Sequence, residues 1–549
     1  GIVVRVRTII IGGVAGGMSA ATRLRRLDES AEIIVLERSG YVSFANCGLP
    51  YHVGGVIEKR GALLLQNPGS LKRRFGIDVR VRHEVTAIDP AAREVSVTDL
   101  RTGAQSTLRY DALVLSPGGR PVRPPIPGIE RALSLRDIED TDAMVAAVGP
   151  ADTAVVVGGG FIGVEMAENL VHRGLRVTLV EATDQVMAPL DPELAALVHT
   201  RLREHGVTLV LGASVSAIGA DTATLSDGSV VQADLVVAAI GVRPETSLAL
   251  GAGLELGPRG GILVDDQLRT SDPAIYAVGD AVEKRDALDD SQALVPLANT
   301  ANRQGRVVAD IIAGHGGSDR PVLGTAVVGV FGLTVATTGW NEKRLRAAGT
   351  PYRAIHTHPA NHAGYYPGAE TISIKLLFDP VTTRILGAQA VGGAGAEKRI
   401  DVIATAMAGG LTAPALADLE LAYAPQYSSA KDPVNMLGWV ARNMTEGLVN
   451  TVQWHEVAGR VAGGATVVDV RTAPEYAAGH IPGSVNVPVD DLRGRLGDLP
   501  DGELLVVCAV GIRGYLAART LAQQGRSVAN VDGGYLTWAA SPAADATLQ

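Results

Sequence analysis

The chain of 549 residues contains only two cysteines and few aromatic residues. Two cysteines cannot form a disulfide framework, so the thiols of Cys47 and Cys508 are expected to be free. No apolar run approaches the roughly 20 residues needed to cross a bilayer, and the opening GIVVRVRTIIIGG predicts a strand rather than a signal peptide. With a net charge of −9 and no basic run, the sequence predicts a cytoplasmic protein whose main partner is neither nucleic acid nor membrane.

The amino-acid composition of the chain is typical of a large soluble enzyme. Hydrophobic residues make up 46% of the chain, and 65 residues are glycine. This composition can fill several cores and form many tight turns, so several domains of roughly 100 to 200 residues are expected. The pattern of apolar strands, glycine turns and helices predicts the α/β class. No metal site is predicted.

A first glycine-rich turn follows the apolar stretch from Val3 to Ile11, which suits a buried parallel strand. The turn opens a helix in GGVAGGMSAATRLRRL, and a second strand, EIIVLER, ends with an acid and a base. This order predicts a dinucleotide-binding unit, although the motif is weak alone because Val14 takes the second glycine position. The residues predicted to contact the cofactor are Gly12, Gly13, Ala15, Gly16, Gly17, Glu37 and Arg38.

A second unit, TAVVVGGGFIGVEMAENLVHRGLRVTLVE, has the complete glycine spacing at Gly158, Gly160 and Gly163. Its second strand ends at Glu181. A carboxylate there hydrogen-bonds a ribose 2′-hydroxyl and repels a 2′-phosphate, so NADH is predicted over NADPH. Neighbouring residues can override one acid, and NADPH therefore stays open.

Two further segments indicate a flavin. TSDPAIYAVGDAVE places Gly279 and Asp280 after a strand; taken alone it would be any strand-to-helix turn. Beside two dinucleotide units it resembles the second FAD motif of the two-dinucleotide-binding flavoprotein disulfide reductases, and the resemblance implies that Asp280 binds the ribityl chain. LVLSPGGRP resembles the ATG-type crossing strand of that superfamily, with Ser116, Pro117 and Gly118 as a departure; Ser116 and Gly118 are predicted to contact FAD.

The resemblance implies two Rossmann-like domains, for FAD and NAD, and an α/β dimerisation domain. A further α/β domain is predicted at the C-terminal end. The FAD domain is predicted in two segments, 1–120 and 270–330, with the NAD insert between them at 121–269 and its core at 150–245. The dimerisation domain is predicted at 331–445, a linker at 446–457 and the last domain at 458–549.

The segment SFANCGLPY contains Cys47 and is followed by no second cysteine in the C-x-x-x-x-C pattern of glutathione-reductase-like enzymes. An internal disulfide is therefore impossible. The thiol can instead cycle as a sulfenic acid, or as a mixed disulfide or persulfide with a small partner. We expect helix N-termini and the oxidised flavin to favour its thiolate. The alternative is an inert packed thiol.

Three segments, SFANCGLPY, NHAGYYPGA and YAPQYSSAKDPVN, together resemble the coenzyme A disulfide reductase branch of the single-cysteine flavoproteins. The resemblance implies a homodimer in which Cys47 holds CoA as a mixed disulfide while Tyr365 and Tyr423 reach the neighbouring subunit's site. Interface packing is the alternative for these tyrosines. Candidate CoA contacts, which are equally consistent with a solvated surface, are Ser43, Asn46, Arg23, Arg26, Lys72 and Lys431.

The C-terminal segment ATVVDVRTAPEYAAGHIPGSVNVPVDDL resembles the rhodanese signature. A buried strand then delivers Cys508 into the loop CAVGIR, which runs into a helix. Loop N–H groups and the helix dipole stabilise a thiolate or persulfide anion, as sulfur transfer requires. Arg513 could hold the loop or an anionic donor. An inactive docking module is the alternative.

We therefore predict a pyridine nucleotide-disulfide oxidoreductase that uses FAD and NADH to reduce CoA persulfide, polysulfide or CoA disulfide at Cys47. Cys508 would handle sulfane sulfur, and coenzyme A would bind as substrate or mixed disulfide. The alternatives are a CoA disulfide reductase proper and an NADH oxidase or peroxidase that cycles through a sulfenic acid. A redox-sensing scaffold is a non-enzymatic alternative, disfavoured by the two cofactor motifs and the intact Cys508 loop.

Overall fold

The computed structural model describes residues 5–547, which form two compact units. The first unit comprises residues up to 184 and residues 206–324, and the second comprises residues 185–205 and those from 325 onward. Residues 185–205 thus fold with the second unit although they lie inside the predicted NAD insert. The predicted strand start at Val3 lies outside the described residues, and the strand runs over Arg7–Ile11.

Two parallel sheets form the frame of the first unit. The order in the first sheet is Ile275–Ala277, Ala112–Leu115, Arg7–Ile11, Glu32–Glu37 and Asp78–Val81. The order in the second is Thr208–Leu211, Arg176–Glu181, Thr153–Val157 and Leu235–Ala238. The central strands are buried on both faces, as Ile9 and Ile10 show. Continuous apolar sequence is what such strands require.

The remaining elements of the first unit cover and connect these sheets. Two antiparallel sheets consist of His83–Asp89, Glu94–Asp99 and Gln105–Arg109, and of Val215–Ile218, Thr222–Leu225 and Val230–Gln232. Two strand pairs are Gly119–Pro121 with Val242–Pro244 and Lys284–Arg285 with Gln292–Ala293. The helices are Ala15–Leu27, Leu49–Val53, Pro68–Phe75, Ile138–Val148, Phe161–His172, Ser247–Gly251 and Ala298–Ile312.

The second unit contains one antiparallel and one parallel sheet. The antiparallel order is Ala326–Val330, Leu333–Gly339, Ile385–Gly392, Ile372–Phe378 and Arg353–Thr357. The parallel order is Thr451–Val452, Val528–Val531, Leu504–Val507, Thr466–Asp469 and Val485–Asn486. The helices are Pro192–Glu204, Glu342–Ala347, Ala396–Ala408, Pro433–Thr445, Val457–Ala462, Ala473–Ala478, Ile512–Gln523, Gly534–Ala540 and Pro542–Ala546. The predicted α/β class is confirmed.

The two sheets of the second unit share one hydrophobic core. Ile374 and Leu376 of the antiparallel sheet belong to the same buried cluster as Val468 and Val506 of the parallel sheet. Burial of this apolar surface joins the two sheets into one packed body. Thr451–Val452, which falls in the predicted linker, pairs with Val528–Val531 as an edge strand. No helix between residues 5 and 547 is both long and apolar enough to span a membrane.

A cluster of buried charges lies in the second unit and is centred on Lys375. Its ammonium lies 3.0 Å from Asp191, 2.6 Å from Glu193 and 2.5 Å from Glu342. The side chain of Lys375 is fully buried. Burial lowers the pKa of this amine, but the three carboxylates outweigh burial and raise the pKa. We refer to these four residues and His356, which lies 2.7 Å from Glu193, as the Lys375 cluster.

Lys375→Met is expected to lower the free energy of unfolding of the second unit by about 3 to 5 kcal/mol, because three buried carboxylates would lose their shared cation. Urea denaturation followed by tryptophan fluorescence measures this unit selectively, since all four tryptophans, Trp340, Trp439, Trp454 and Trp538, lie in it. Lys398→Met, at a half-buried helix position, is the control. Equal denaturation midpoints for the two variants would contradict a stabilising role for the cluster.

Candidate active site

The first glycine turn packs tightly against neighbouring backbone and has no room for side chains at two of its glycines. Gly12 has φ +103°, and a Cβ there would lie 1.9 Å from the carbonyl oxygen of Ser116. A Cβ on Gly17 would lie 1.9 Å from the oxygen of Gly12. The adjoining helix begins at Ala15, and Glu37 accepts hydrogen bonds from the N–H groups of Gly13 at 2.8 Å and Ser39 at 2.9 Å. This turn fits a dinucleotide despite Val14 in the second glycine position.

The second glycine turn repeats this construction. Gly158 has φ +108°, and a Cβ on Gly163 would lie 1.9 Å from the oxygen of Gly158. No atom lies within 4 Å of a Cβ built on Gly160, which leaves space beside the N-terminus of Phe161–His172. Glu181 accepts a hydrogen bond from the N–H of Gly159 at 2.7 Å. The arrangement fits a second dinucleotide at this helix N-terminus.

The third predicted motif forms a tight turn at Gly279–Ala281. The N–H of Gly279 donates to Oε1 of Gln304 at 2.8 Å, and the buried ammonium of Lys284 donates to the Gly279 oxygen at 2.8 Å. Burial raises the pKa of Asp280, and the charge of Lys284 partly opposes this. Lys284 and Gln304 are positioning groups that the sequence motifs did not reveal. Gly118 of the crossing segment has φ +70°.

Cys47 lies in the short helical turn Asn46–Gly48 and is exposed. Burial of its surroundings raises the pKa of the thiol, and the carboxylates of Glu165 and Asp280 raise it further. Burial and nearby negative charge therefore both oppose formation of the thiolate, and the contributions expected from helix N-termini and the oxidised flavin stay predictions. The hydroxyl of Tyr51 donates to Glu165 at 3.2 Å. Neither Tyr51 nor Glu165 was predicted to belong to this site.

Cys508 follows the strand Leu504–Val507 and has 1% of its surface exposed. The N–H of Gly511 donates to its sulfur at 3.0 Å, as predicted for a loop that stabilises sulfur anions. Arg513 donates two hydrogen bonds to Glu475, at 2.9 and 2.7 Å. Of the two roles considered for Arg513, this pair favours holding the loop. Glu475 belongs to the quoted EY signature, but its role was not predicted.

Tyr365 and Tyr423 meet at 3.0 Å between their hydroxyl oxygens, and both are exposed. The hydrogen bond between the two hydroxyls raises the pKa of Tyr423. The two loops that carry these tyrosines are joined by the buried guanidinium of Arg399, which donates to the oxygen of Asn361 at 3.0 Å and to Asp432 at 3.2 Å. Arg399 is a positioning residue that no sequence motif indicated.

The candidate CoA contacts have different surroundings. Arg23 forms an ion pair with Asp310 at 2.7 Å, so its charge is already compensated. Arg26 and Lys72 are exposed, and Lys431 lies 6.0 Å from the ring centre of Trp439. Ser43 and Asn46 both precede Cys47 in the same segment.

Comparison with known proteins agrees with this geometry. Residues 6–305 match the family described as pyridine nucleotide-disulphide oxidoreductase, and residues 325–433 match the dimerisation domain of that family. The chain belongs to the pyridine nucleotide-disulphide oxidoreductases. Residues 453–541 match the rhodanese-like domain. The predicted enzyme class, the Rossmann-like domains and the rhodanese resemblance are confirmed.

Three relatives of this oxidoreductase are informative. Coenzyme A disulfide reductase of Staphylococcus aureus strain JH9 is 35% identical over 441 residues, which are 79% of this chain and all of that protein. The crystal structure of reduced Bacillus anthracis CoADR-RHD is 49% identical, covers 98% of both chains and has a TM-score of 0.96. An NAD-dependent persulfide reductase from A. fulgidus is 38% identical over 97% of this chain and 100% of that chain, with a TM-score of 0.91.

Family membership implies FAD and NAD(P)H as the cofactors of this oxidoreductase. The chain's own residues fit both groups, since two sterically restricted glycine turns open onto helix N-termini and each is followed by a strand that ends in a hydrogen-bonded acid. Gly12, Gly13, Ala15, Gly16, Gly17 and Glu37 would hold the FAD pyrophosphate and ribose, and Gly158, Gly160, Gly163 and Glu181 would hold the nicotinamide nucleotide.

Glu165→Gln is expected to lower the pKa of Cys47, because it removes a nearby negative charge that raises this pKa. The rate of iodoacetamide alkylation should be measured against pH in the flavin-loaded Cys508→Ser protein, where Cys47 is the only thiol. Glu168→Gln is the matched control, since Glu168 lies on the same helix and is not among the charges that shift Cys47. An unchanged pH profile for Glu165→Gln would show that this carboxylate does not act on the thiol.

Proposed function

We propose that the chain forms a homodimer that uses NADH to reduce CoA persulfide, polysulfide or CoA disulfide at Cys47, while Cys508 handles sulfane sulfur. One observation carries the proposal: each of the chain's two cysteines lies in its own site. Cys47 is within the electrostatic influence of the second FAD motif through Asp280 and of the NAD helix through Glu165. Cys508 receives a backbone hydrogen bond on its sulfur. The names of the S. aureus and A. fulgidus relatives support the same substrate class.

When bound, NADH and FAD supply the two electrons that reduce a disulfide at Cys47. The Cys47 thiolate attacks the CoA sulfur of a CoA persulfide, the substrate S–S bond breaks, and hydrosulfide leaves with the electron pair. A new S–S bond then joins Cys47 to CoA, and its two-electron reduction restores the Cys47 thiolate and releases the CoA thiolate. Overall, one persulfide, one hydride and one proton give one CoA thiol and one hydrogen sulfide.

Tyr365 and Tyr423 are proposed to act on the neighbouring subunit's site in the homodimer. A phenol that donates a hydrogen bond to a sulfur anion stabilises it as a leaving group. The exposure of both rings and the 3.0 Å separation of their hydroxyls support this role, whereas pure interface packing would not need paired hydroxyls. Ser43 and Asn46 beside Cys47, with Arg26, Lys72 and Lys431, are the proposed CoA contacts; the ion pair of Arg23 with Asp310 makes it a weaker one.

A CoA disulfide reductase with an accessory C-terminal domain is the second candidate. The burial of Cys508, which has 1% exposure, favours it, because a sulfurtransferase cysteine must be reached by its donor. The intact Cys508 loop with its N–H donor on sulfur favours sulfur transfer.

The two candidates are separated by stopped-flow NADH oxidation with CoA persulfide, polysulfide, CoA disulfide and peroxide in parallel. Cys47→Ser is expected to lower turnover with every sulfur substrate by at least about a thousandfold, because the nucleophile is lost. Cys508→Ser should lower sulfur transfer selectively and leave CoA disulfide reduction intact.

Full turnover of Cys47→Ser would overturn the proposal, and faster turnover with peroxide than with any sulfur compound would favour the sulfenic acid alternative. Unchanged rates for Cys508→Ser, with no sulfur transfer in the unaltered chain, would favour the accessory-domain candidate.

NADH is expected to exceed NADPH in kcat/KM by about tenfold or more, because the Glu181 carboxylate repels a 2′-phosphate. Glu181→Gln should reduce this preference while keeping a hydrogen-bond acceptor for Gly159. Steady-state kinetics with both nucleotides measure the ratio. Equal efficiency with NADH and NADPH in the unaltered chain would contradict the role of Glu181.

A further inference from the structure

Residues 532–537, which consist of a turn and the first residues of the helix Gly534–Ala540 and are called here the 532–537 turn, lie against the loop that carries Cys508. The N–H of Tyr535 donates to the carbonyl oxygen of Cys508 at 2.7 Å, and the N–H of Leu536 donates to the oxygen of Ala509 at 3.0 Å. Gly534 has φ +65°, and a Cβ there would lie 2.5 Å from the Cys508 oxygen. These contacts leave little freedom between the turn and the loop, so a displacement of the turn must displace the backbone of Cys508.

The same turn is held on its other side by the antiparallel sheet. The backbone N–H of His356 donates to both carboxylate oxygens of Asp532 at 3.1 Å, and its ring Nδ1 lies 2.7 Å from one of them. The ring Nε2 of His358 lies 2.7 Å from the hydroxyl of Thr537. A Cβ on Gly533 would lie 2.6 Å from the Cβ of His356. The turn is therefore clamped between the two sheets of the second unit.

His356 is itself fixed by the Lys375 cluster. Its Nε2 lies 2.7 Å from Glu193, which also contacts Lys375 at 2.6 Å. Burial lowers the pKa of His356, but the carboxylates of Asp532 and Glu193 outweigh it and raise the pKa to about 9. The ring is therefore an imidazolium at neutral pH, with both nitrogens donating.

We propose that His356 is a positioning residue for the sulfur chemistry of Cys508: it clamps Asp532 so that the 532–537 turn holds the Cys508 loop in the geometry that stabilises a sulfur anion. The proposal rests on the proposed function only in assigning sulfur transfer to Cys508. The atom most affected is the Cys508 sulfur, because its 3.0 Å hydrogen bond from Gly511 depends on the loop conformation. The charged side chains beside this loop and turn form two pairs: Arg513 pairs with Glu475, and Arg471, which stacks on the ring of Tyr535, pairs with Asp469.

The test measures thiolate formation at Cys508 in the Cys47→Ser protein, where it is the only thiol. The ultraviolet absorbance of the thiolate is recorded against pH, and the absorbance of the Cys47→Ser/Cys508→Ser protein is subtracted as background. This measurement does not require a reagent to reach the buried sulfur. Asp532→Asn is the most informative variant, because the two explanations predict opposite shifts. If the negative charge of Asp532 acts only through space, its loss moves the midpoint of thiolate formation to lower pH. If Asp532 positions the loop, its loss moves the midpoint to higher pH.

We expect Asp532→Asn and His356→Asn to raise the midpoint by about one pH unit, which is roughly tenfold less thiolate at pH values well below the midpoint of the parent. Thr537→Val, which changes no charge and removes the contact with His358, should shift it in the same direction. His199→Gln is the control, because His199 is a buried histidine of the same unit that accepts from Val186. A midpoint equal to that of the control, or lower, in Asp532→Asn and Thr537→Val overturns the proposal, even if His356→Asn fails to fold.

Mass spectrometry of the same proteins after incubation with CoA persulfide separates this proposal from the proposed function. A gain of one sulfur at Cys508 in the Cys47→Ser parent, reduced about tenfold or more in the clamp variants at neutral pH, supports both. A shifted midpoint without sulfur loading in the parent supports the positioning role and contradicts sulfur transfer at Cys508.

Discussion

A thiol without a partner cysteine cannot close an internal disulfide, and the chemistry proposed for this chain depends on that constraint. Cys47 has no second cysteine within its segment, and the other cysteine of the chain belongs to a different domain. An oxidised form of Cys47 must therefore contain an atom from a small molecule, either oxygen or sulfur. The rhodanese-like domain of the same chain favours sulfur over oxygen as this atom, because sulfur transfer is the chemistry proposed for that domain.

The second unit depends on buried charges as well as on apolar packing. Lys375 lies among three carboxylates and is completely buried, and the geometry is close enough for the attraction to offset the loss of hydration. Glu193 and Asp191 come from residues 185–205, while Glu342 and Lys375 belong to the dimerisation domain. The cluster therefore ties a segment that leaves the NAD-binding region to the sheet that carries His356.

The sequence predicts features that neighbouring residues determine. The glycine turns, the acids that end the second strands and the Cys508 loop each depend on fewer than about 30 consecutive residues, and all have the expected conformation. Contacts between distant residues could not be predicted: Tyr51 meets Glu165 across 114 positions, and Asp191 meets Gln389 across 198. The groups that raise the pKa of Cys47 could not be predicted for the same reason, because the two carboxylates belong to other motifs. Glu165 belongs to the second glycine motif, so the motif identifies the residue. Only the folded structure shows that its carboxylate acts on Cys47.

The two thiols are protected from indiscriminate reaction by different physical means. Cys47 is exposed, but burial of its surroundings and two carboxylates raise its pKa, so a cation or positive ligand that offsets those charges would favour the reactive thiolate. Cys508 has a hydrogen bond that stabilises a sulfur anion, but only 1% of its surface is exposed, so access limits its reaction. A substrate such as a CoA persulfide must therefore meet a different requirement at each site. At Cys47 it must make interactions that favour the thiolate, and at Cys508 it must present a slender sulfur-bearing end that reaches the buried sulfur. A long, flexible thiol carrier meets the second requirement better than a compact globular partner, which is a physical reason to favour a small carrier of sulfane sulfur over a protein donor.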